Sequence, residues 1–428
     1  MKFKIITLGC KVNIYESEIM RELLLQNDYH EVDDSADIII INTCSVTNMA
    51  DNKSKKMIRG ARRDNKDSII IVCGCASENH RELLNELDID ILIGNKDKSL
   101  IIELINEYKN NKQKIIKFYD NKNLDFESMK VSKFTNKTRA FIKIQDGCDN
   151  YCSYCIIPYM RGNIRYKDID DTYTEVLELA NNGHQEIVLT GIHTGSYGRG
   201  MDTDLTDLIR SISLIDNLKR IRISSIEITE LSDKFLNELK TNPKLCRHMH
   251  VPLQAGSNHV LKLMNRKYNT EEYLNIINKL KSIREDISIS TDIIVGFPSE
   301  TDSDFQETIT FAKQIGFSKI HVFPYSKREG TQACLIPNHL DNKIKKDRAR
   351  ELISVSNELE LAYNNKFINK YVDVLIEEVY DNYSLGHTSN FIKVKINECL
   401  NKNEMYNIKI VSVDRDMVLG VNKLENNQ

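Results

Sequence analysis

The chain reads as an α/β protein in three parts: an N-terminal open parallel α/β sheet, a central partial (β/α)6 barrel and a small C-terminal antiparallel β-barrel. Three observations predict this. Continuous β-branched runs alternate with amphipathic segments over most of the chain, the pattern of strands buried on both faces of a parallel sheet. The last sixty or so residues switch to strict alternation of apolar and polar positions, as in half-buried antiparallel strands. The length of 428 residues gives about three domains at ~150 residues each. The predicted divisions are 1–128, 129–366 and 367–428.

In the first part, Phe3–Leu8, Asp37–Asn42, Ser68–Val72 and Asp90–Gly94 read as four strands. Ile19, Met20, Leu23 and Leu24 mark the inner face of a helix, and Asn13 with Glu16 predicts a capping box at its start. Ligands of open parallel sheets sit outside the carboxyl ends of the strands, where Cys10, Cys44 and Cys75 all fall. Single cysteines are commonly core residues, but three at equivalent strand ends point to convergence. Cys73 lies inside its strand and reads as core. Lys53, Lys55, Lys56, Arg59, Arg62 and Arg63 form a basic amphipathic helix with Met57, Ile58 and Ala61 inward, suited to phosphate contacts. Residues 107–125 read as a linker or hairpin.

The second part opens with the strand Phe141–Asp146, followed by Cys148, Cys152 and Cys155 in C-x3-C-x2-C spacing. Three thiolates on one loop suit an iron–sulfur cluster with one iron left open. Structural zinc, the alternative, wants four closed ligands, and no fourth Cys or His lies close by. Five further strand runs follow: Glu186–Thr190, Arg220–Ser224, His248–Val251, Ser290–Val295 and Lys319–Phe323. Six βα units fall short of the eight of a closed barrel, leaving an open side. A capping box from Ser303 to Gln306 is expected to start the helix before the last strand. Polar residues cluster where the strands end: Thr190, Gly191, Ser225, Glu227, Gln254 and Gly296.

In the third part, Val372, Val374, Ile376, Ile392, Val394, Ile396, Ile408, Ile410 and Val418 point inward, with Gly386 and Asn401–Asn403 as turns.

Composition sets further limits. Gly 17 and Pro 6 exclude collagen-like and Pro/Gly-rich disordered chains. No apolar run approaches the ~18–20 residues of a membrane span, and Met1–Thr7 runs straight into a strand with no signal peptide. A cytoplasmic, reducing location without membrane is expected. The 10 cysteines then read as metal ligands, redox groups or core fillers rather than disulfides. The net charge of −3 requires any nucleic-acid contact to be local.

The C-x3-C-x2-C motif after the first of six βα strands resembles the radical S-adenosylmethionine superfamily. The chain is similar to its methylthiotransferase branch almost end to end. Leu8–Asn13, Asn42–Thr47, Gly74-Cys75, Cys148–Arg161, Val251–Ser257 and Asp292–Pro298 carry the likeness. Residues 386–394 resemble a TRAM domain, a small RNA-binding barrel. The resemblance implies that Cys148, Cys152 and Cys155 hold a 4Fe–4S cluster that cleaves S-adenosylmethionine to a carbon radical. It implies that Cys10, Cys44 and Cys75 hold a second 4Fe–4S cluster carrying the sulfur. Tyr154 matches the position that packs on the cofactor adenine, and the strand-end residues would complete the cofactor site. The target is adenosine in a tRNA anticodon stem-loop, whose C2–H bond is not acidic and so needs radical chemistry. An electron donor such as flavodoxin or ferredoxin, and a sulfur source, are implied partners. Gly9-Cys10-Lys11-Val12-Asn13 resembles the branch acting on N6-threonylcarbamoyladenosine at position 37. The isopentenyladenosine branch usually has Gln-Met in place of Lys11-Val12, and the ribosomal-protein branch Pro-Lys. A non-catalytic RNA-binding protein with two structural metal sites is the alternative from another class.

Overall fold

The computed structural model describes residues 1–135, 137–414 and 417–422. Among these, no helix is long and apolar enough to cross a membrane. The N-terminal sheet is entirely parallel and has six strands, in the order His30–Glu31, Lys2–Thr7, Ile38–Thr43, Ile69–Gly74, Ile91–Ile93 and Ile115–Lys117. The four predicted strands form its centre. The two additions are short edges. Ile115–Lys117 falls in the stretch read as a linker, and only Ile115 of it is buried, too little to leave a periodic signal. Cys73 is fully buried in the core of this sheet, as expected.

The first helix runs Lys11–Gln26 with Cys10 at its N-cap and no side-chain cap. The predicted Asn13–Glu16 box is therefore corrected: both residues lie inside the helix and are buried. Asn13 Nδ2 instead donates to the Leu8 and Thr43 carbonyls, at 2.8 Å each, tying two strand ends together. The capping box of the helix Asp302–Ile315 lies two residues earlier than predicted, between Thr301 and Asp304.

The central strands are Arg139–Lys143, Glu186–Thr190, Arg220–Ile223, His248–His250, Ser288–Val295 and Lys319–Pro324. They form two three-stranded parallel sets. A bridge between Ile221 and Leu245 joins the sets, so the six strands follow chain order around an open barrel. The Lys11–Gln26 helix packs on the first strand and the helix Asn342–Asn365 on the last, flanking the open side.

The C-terminal segment closes into a five-stranded barrel in the order Tyr371–Tyr380, Tyr383–Thr388, Lys393–Ile396, Met417–Asn422 and Met405–Asp414. One pairing, between Lys393–Ile396 and Met417–Asn422, is parallel. The predicted inward residues form its core. Gly386 is not a turn but lies inside a strand. A Cβ there would sit 2.2 Å from the Leu375 carbonyl oxygen, so the position selects glycine for close strand approach.

Buried charge docks this barrel to the central one. Glu186 accepts from Arg222 Nε at 2.7 Å and from Arg220 Nη1 at 3.3 Å. The two guanidinium groups then donate onward to the carbonyls of Asp373, His387, Thr388 and Ser389. Burial opposes ionisation of Glu186, but Arg222 and Arg220 outweigh it and hold the carboxyl down to about 2. An unfolded glutamate titrates near about 4.3. The stabilisation is therefore complete above that value and is lost as pH falls toward about 2. Glu186→Gln is expected to cost about 3–5 kcal/mol near neutral pH, because two buried cations lose their partner. Urea unfolding of the two proteins at neutral pH and below pH ~4.3 checks this, the difference shrinking on the acid side.

Candidate active site

Cys10, Cys44 and Cys75 follow three adjacent parallel strands and meet at their carboxyl edge. Gly9 has φ +100, and a Cβ there would lie 2.6 Å from Cys44 Cβ and 2.8 Å from its Sγ. The glycine thus lets the Cys10 strand end approach Cys44. Burial pushes the Cys44 thiol up to about 11, with Cys75 and Cys10 adding to the shift. Burial raises the Cys75 thiol as well, so these two buried thiols stay protonated unless a metal takes them as thiolates, while Cys10 is exposed beside them.

The charge beside them is arranged for that. Arg161, fully buried, donates from Nε to Cys75 Sγ at 3.3 Å. Its Nη2 reaches Asn13 Oδ1 at 3.0 Å, and its Nη1 reaches Glu16 at 3.0 Å and Asp146 at 3.2 Å. Lys98 and Lys143 also pair with Glu16, at 3.0 and 3.1 Å, and Arg165 pairs with Asp146 at 3.1 Å. Four cations therefore surround two carboxylates. The positive excess faces the thiols and favours an anionic, thiolate-ligated group.

The second triad lies on the loop after the first barrel strand. Cys155 N donates to the Cys152 carbonyl at 2.9 Å, and Cys148 N to that of Gly162 at 3.1 Å. Burial raises the Cys152 and Cys155 thiols, Cys155 to about 12, so these two also need a metal to ionise. Arg266 Nη1 donates to Cys152 Sγ at 3.2 Å, while its Nη2 pairs with Glu227 at 2.8 Å. His193 Nε2 sits 2.6 Å from Glu230. Burial disfavours its imidazolium, but hydrogen bonding to Cys148 and Glu230 lifts its pKa to about 10. Among the described residues, only His250, Asp292 and His321 bring three ligand atoms within 4.8 Å of one another. Neither cysteine triad closes that tightly. Tetrahedral zinc, with Zn–S bonds near 2.3 Å, needs sulfurs about 3.8 Å apart. Three thiols on one loop, without a fourth ligand close by in the chain, are the donor set of an iron–sulfur cluster that leaves one iron open.

The predicted strand-end residues lie at the carboxyl ends of the barrel strands, the end from which the Cys148 loop leaves. Thr190 Oγ1 is buried and has no hydrogen-bond partner among the described residues, as expected of a group awaiting a ligand. Gly191 follows it, and Gln145 fixes this edge by accepting from His193 N at 2.7 Å. Ser225 and Glu227 follow the third strand, half-buried. Gln254 bridges to Ile293. Tyr154 packs edge-on to Phe297, with ring centroids 6.4 Å apart. Gly296 differs: its open side is filled by Lys345, whose Cγ would lie 2.4 Å from a Cβ there. Arg266 and Gln145 had no sequence signal, because both act through contacts distant in the chain. Arg161 lay in the motif, but its role needed the fold.

The basic helix spans Asn48–Asp64, capped by Thr47. Lys53, Lys56, Arg59 and Arg63 are exposed and Lys55 is half-buried. Arg63 pairs with Asp64 at 2.7 Å on the surface. Arg62 turns inward, to Asp90 at 2.5 Å and to the Ser68 carbonyl at 2.9 Å. Its guanidinium is thus committed to partners within the fold.

Removing the Arg161 charge leaves Glu16 and Asp146 short of a partner in the interior. Arg161→Met is expected to cost about 3–5 kcal/mol, read as a shift of the urea midpoint. A change within ~0.5 kcal/mol, the scale of a surface substitution, would contradict the buried-charge account.

Residues 142–312 match the Radical SAM superfamily and residues 2–94 match the Uncharacterized protein family UPF0004. The threonylcarbamoyladenosine tRNA methylthiotransferase of Bacillus subtilis is 40% identical over 399 residues, covering 91% of this chain and 88% of its own length. That of Thermotoga maritima is 36% identical over 426 residues, covering 97% and 96%. A tRNA-2-methylthio-N(6)-dimethylallyladenosine synthase of Alkaliphilus oremlandii is 35% identical over 388 residues, covering 88% and 82%. A radical S-adenosylmethionine methyltransferase from Kitasatospora setae, solved with cobalamin and a 4Fe–4S cluster bound, shares the fold with a TM-score of 0.54 at 14% identity. That likeness covers 76% of this chain and 74% of that one.

Proposed function

From the premise that the chain belongs to the radical S-adenosylmethionine tRNA methylthiotransferase family, we propose that it methylthiolates C2 of N6-threonylcarbamoyladenosine at position 37 of tRNA. The observation that carries the reading is the presence of two cysteine triads, with Arg161 tying Cys75 of one to Asp146, which precedes the loop that carries the other. For the substrate, the support is the Cys10-Lys11-Val12-Asn13 motif together with relatives named for that nucleoside at 36–40% identity. The dimethylallyladenosine relative at 35% keeps the sister substrate as the second reading.

Cys148, Cys152 and Cys155 would hold one 4Fe–4S cluster, and Cys10, Cys44 and Cys75 a second that carries the sulfur. Bound with S-adenosylmethionine, the first supplies the one-electron chemistry that an unactivated C2–H bond requires. The protein's own share is placement. Arg266 fixes Cys152 and Glu227 in one chain of contacts. Thr190 offers a free hydroxyl at its strand end, and Tyr154 with the strand ends encloses the cofactor. Arg161 holds the Cys10, Cys44 and Cys75 triad against the barrel, so that sulfur and target would be brought together. Lys53, Lys55, Lys56 and Arg59, with the C-terminal barrel, would take the phosphates of the anticodon stem-loop. We place the enzyme in the cytoplasm, served by an electron donor such as flavodoxin or ferredoxin and by a sulfur source. Its working divisions are 1–128, 129–366 and 367–428.

Cys148→Ala is expected to abolish S-adenosylmethionine cleavage. Cys44→Ala should spare some cleavage but yield no methylthiolated RNA. Chromatographic assay of both products checks this, and full methylthiolation by Cys44→Ala would refute the second cluster. Iron should fall from about eight to about four per chain when either triad is replaced. Changing Lys53, Lys55, Lys56 and Arg59 together to Ala should weaken tRNA binding. It should also flatten the salt dependence of log K by about 0.7–0.9 for each phosphate no longer neutralised. An unchanged slope makes that face merely solvated.

A further inference from the structure

A cavity of about 380 Å³ lies where the three parts of the chain meet. Its wall includes Lys11 from the start of the first helix, Arg139, Arg222 and His250 from the central barrel, and Phe391 from the C-terminal barrel. The cations on this wall differ in what holds them. Arg139 pairs with Glu377 at 3.1 Å and Arg222 with Glu186 at 2.7 Å. Both guanidinium groups also lie over the Phe391 ring, at 5.0 and 4.8 Å from its centroid. Phe391 is held at φ +65, a conformation a bulky side chain adopts only when its surroundings impose it. Lys319 pairs with Glu360. Lys11 and Lys393, which also lines the cavity, make no side-chain hydrogen bond or ion pair with a described residue, and Asp292 is the carboxylate whose charge Lys11 senses.

The cavity also reaches the group His250, Asp292 and His321. A divalent cation there would face Lys11, Arg139 and Arg222 across a confined space, and like charge opposes it. Asp292 is already engaged by His250 Nε2 at 3.4 Å. The balance of charge on the wall calls for an anion, and the unpaired ammonium groups of Lys11 and Lys393 mark where its charge can go.

Lys11 directly follows Cys10, so an anion held by it lies beside the triad assigned to the sulfur. We propose that Lys11 is a specificity-determining residue that receives the carboxylate of a threonylcarbamoyl arm on the target adenine. Arg139 and Arg222 supply the surrounding positive potential. The inference rests on the threonylcarbamoyladenosine reading and deepens it. The arm leaves from N6, on the ring carbon two bonds from C2, so arm and reacting carbon fit within the span of one nucleoside. An isopentenyl arm carries no charge and would leave the ammonium desolvated without a partner, which selects against it.

The test uses the full-length enzyme with its clusters reconstituted, compared at equal iron content. Binding is read by fluorescence anisotropy on three anticodon stem-loop RNAs. These carry threonylcarbamoyladenosine, its carboxylate methyl ester, or plain adenosine. The wild type should bind the free acid about ten- to a hundredfold tighter than the ester, the scale of one charge-assisted hydrogen bond. Lys11→Met should bind acid and ester alike while keeping wild-type affinity for the plain RNA, and Lys11→Arg should restore the preference. Methylthiolation by the wild type of these RNAs, and of a fourth carrying isopentenyladenosine, reads the substrate assignment separately. A wild type that modifies the free acid while Lys11→Met keeps the full preference over the ester overturns the carboxylate seat alone. A wild type that ignores this RNA and modifies an isopentenyladenosine RNA overturns the seat and the substrate reading together.

Discussion

The buried guanidinium of Arg161 is the constraint on which the rest of the structure depends. It reaches Cys75 and Asn13 on the N-terminal sheet and Asp146 on the central barrel, all within 3.3 Å. An arginine is always charged and cannot be left unpaired in the interior. It therefore fixes how the strand end that carries Cys75 meets the barrel strand that leads into the Cys148 loop. Glu16 shares the duty by accepting from Arg161, Lys98 and Lys143 at once. A buried network of this kind adds little net stability against an apolar core of the same shape. What it contributes here is a fixed geometry and a positive field toward three thiols.

Similar logic recurs at two other junctions. Arg328, late in the chain, donates to Asp51 at 2.5 Å and to the Ser45 hydroxyl at 2.9 Å. It thereby anchors the loop that carries Cys44 to the chain that follows the last barrel strand. Glu186 organises Arg220 and Arg222 so that the C-terminal barrel is held by its own backbone carbonyls. In each case a charge on one part reaches the backbone or a short side chain on another. Flexible linkers would let the parts drift, but these ties enclose one cavity shared by all three. A net charge of −3 spread over the chain conceals this, because the cations that matter are gathered inside.

Much of this was legible from the residues. Continuous β-branched runs marked the central strands, since burial on both faces leaves an unbroken apolar signal. The cysteine triads stood out because strand ends and C-x3-C-x2-C spacing are local. Edge strands escaped notice, because two or three half-exposed residues carry no period. Asn13 and Glu16 imitated a capping box: the residue types were right, but the charge of Glu16 was committed to partners more than eighty residues away. Arg62 looked identical to its basic neighbours, and only the fold shows that it turns inward. Lys11 was visible as part of a motif, while its lack of a partner is a three-dimensional fact.

The central claim is that this enclosure methylthiolates threonylcarbamoyladenosine in tRNA. Mass spectrometry of tRNA nucleosides from a strain lacking the gene tests it most directly. The account predicts loss of 2-methylthio-N6-threonylcarbamoyladenosine, with its unthiolated precursor accumulating, and restoration by the intact gene. Retention of that nucleoside with loss of the 2-methylthio isopentenyl form would contradict it.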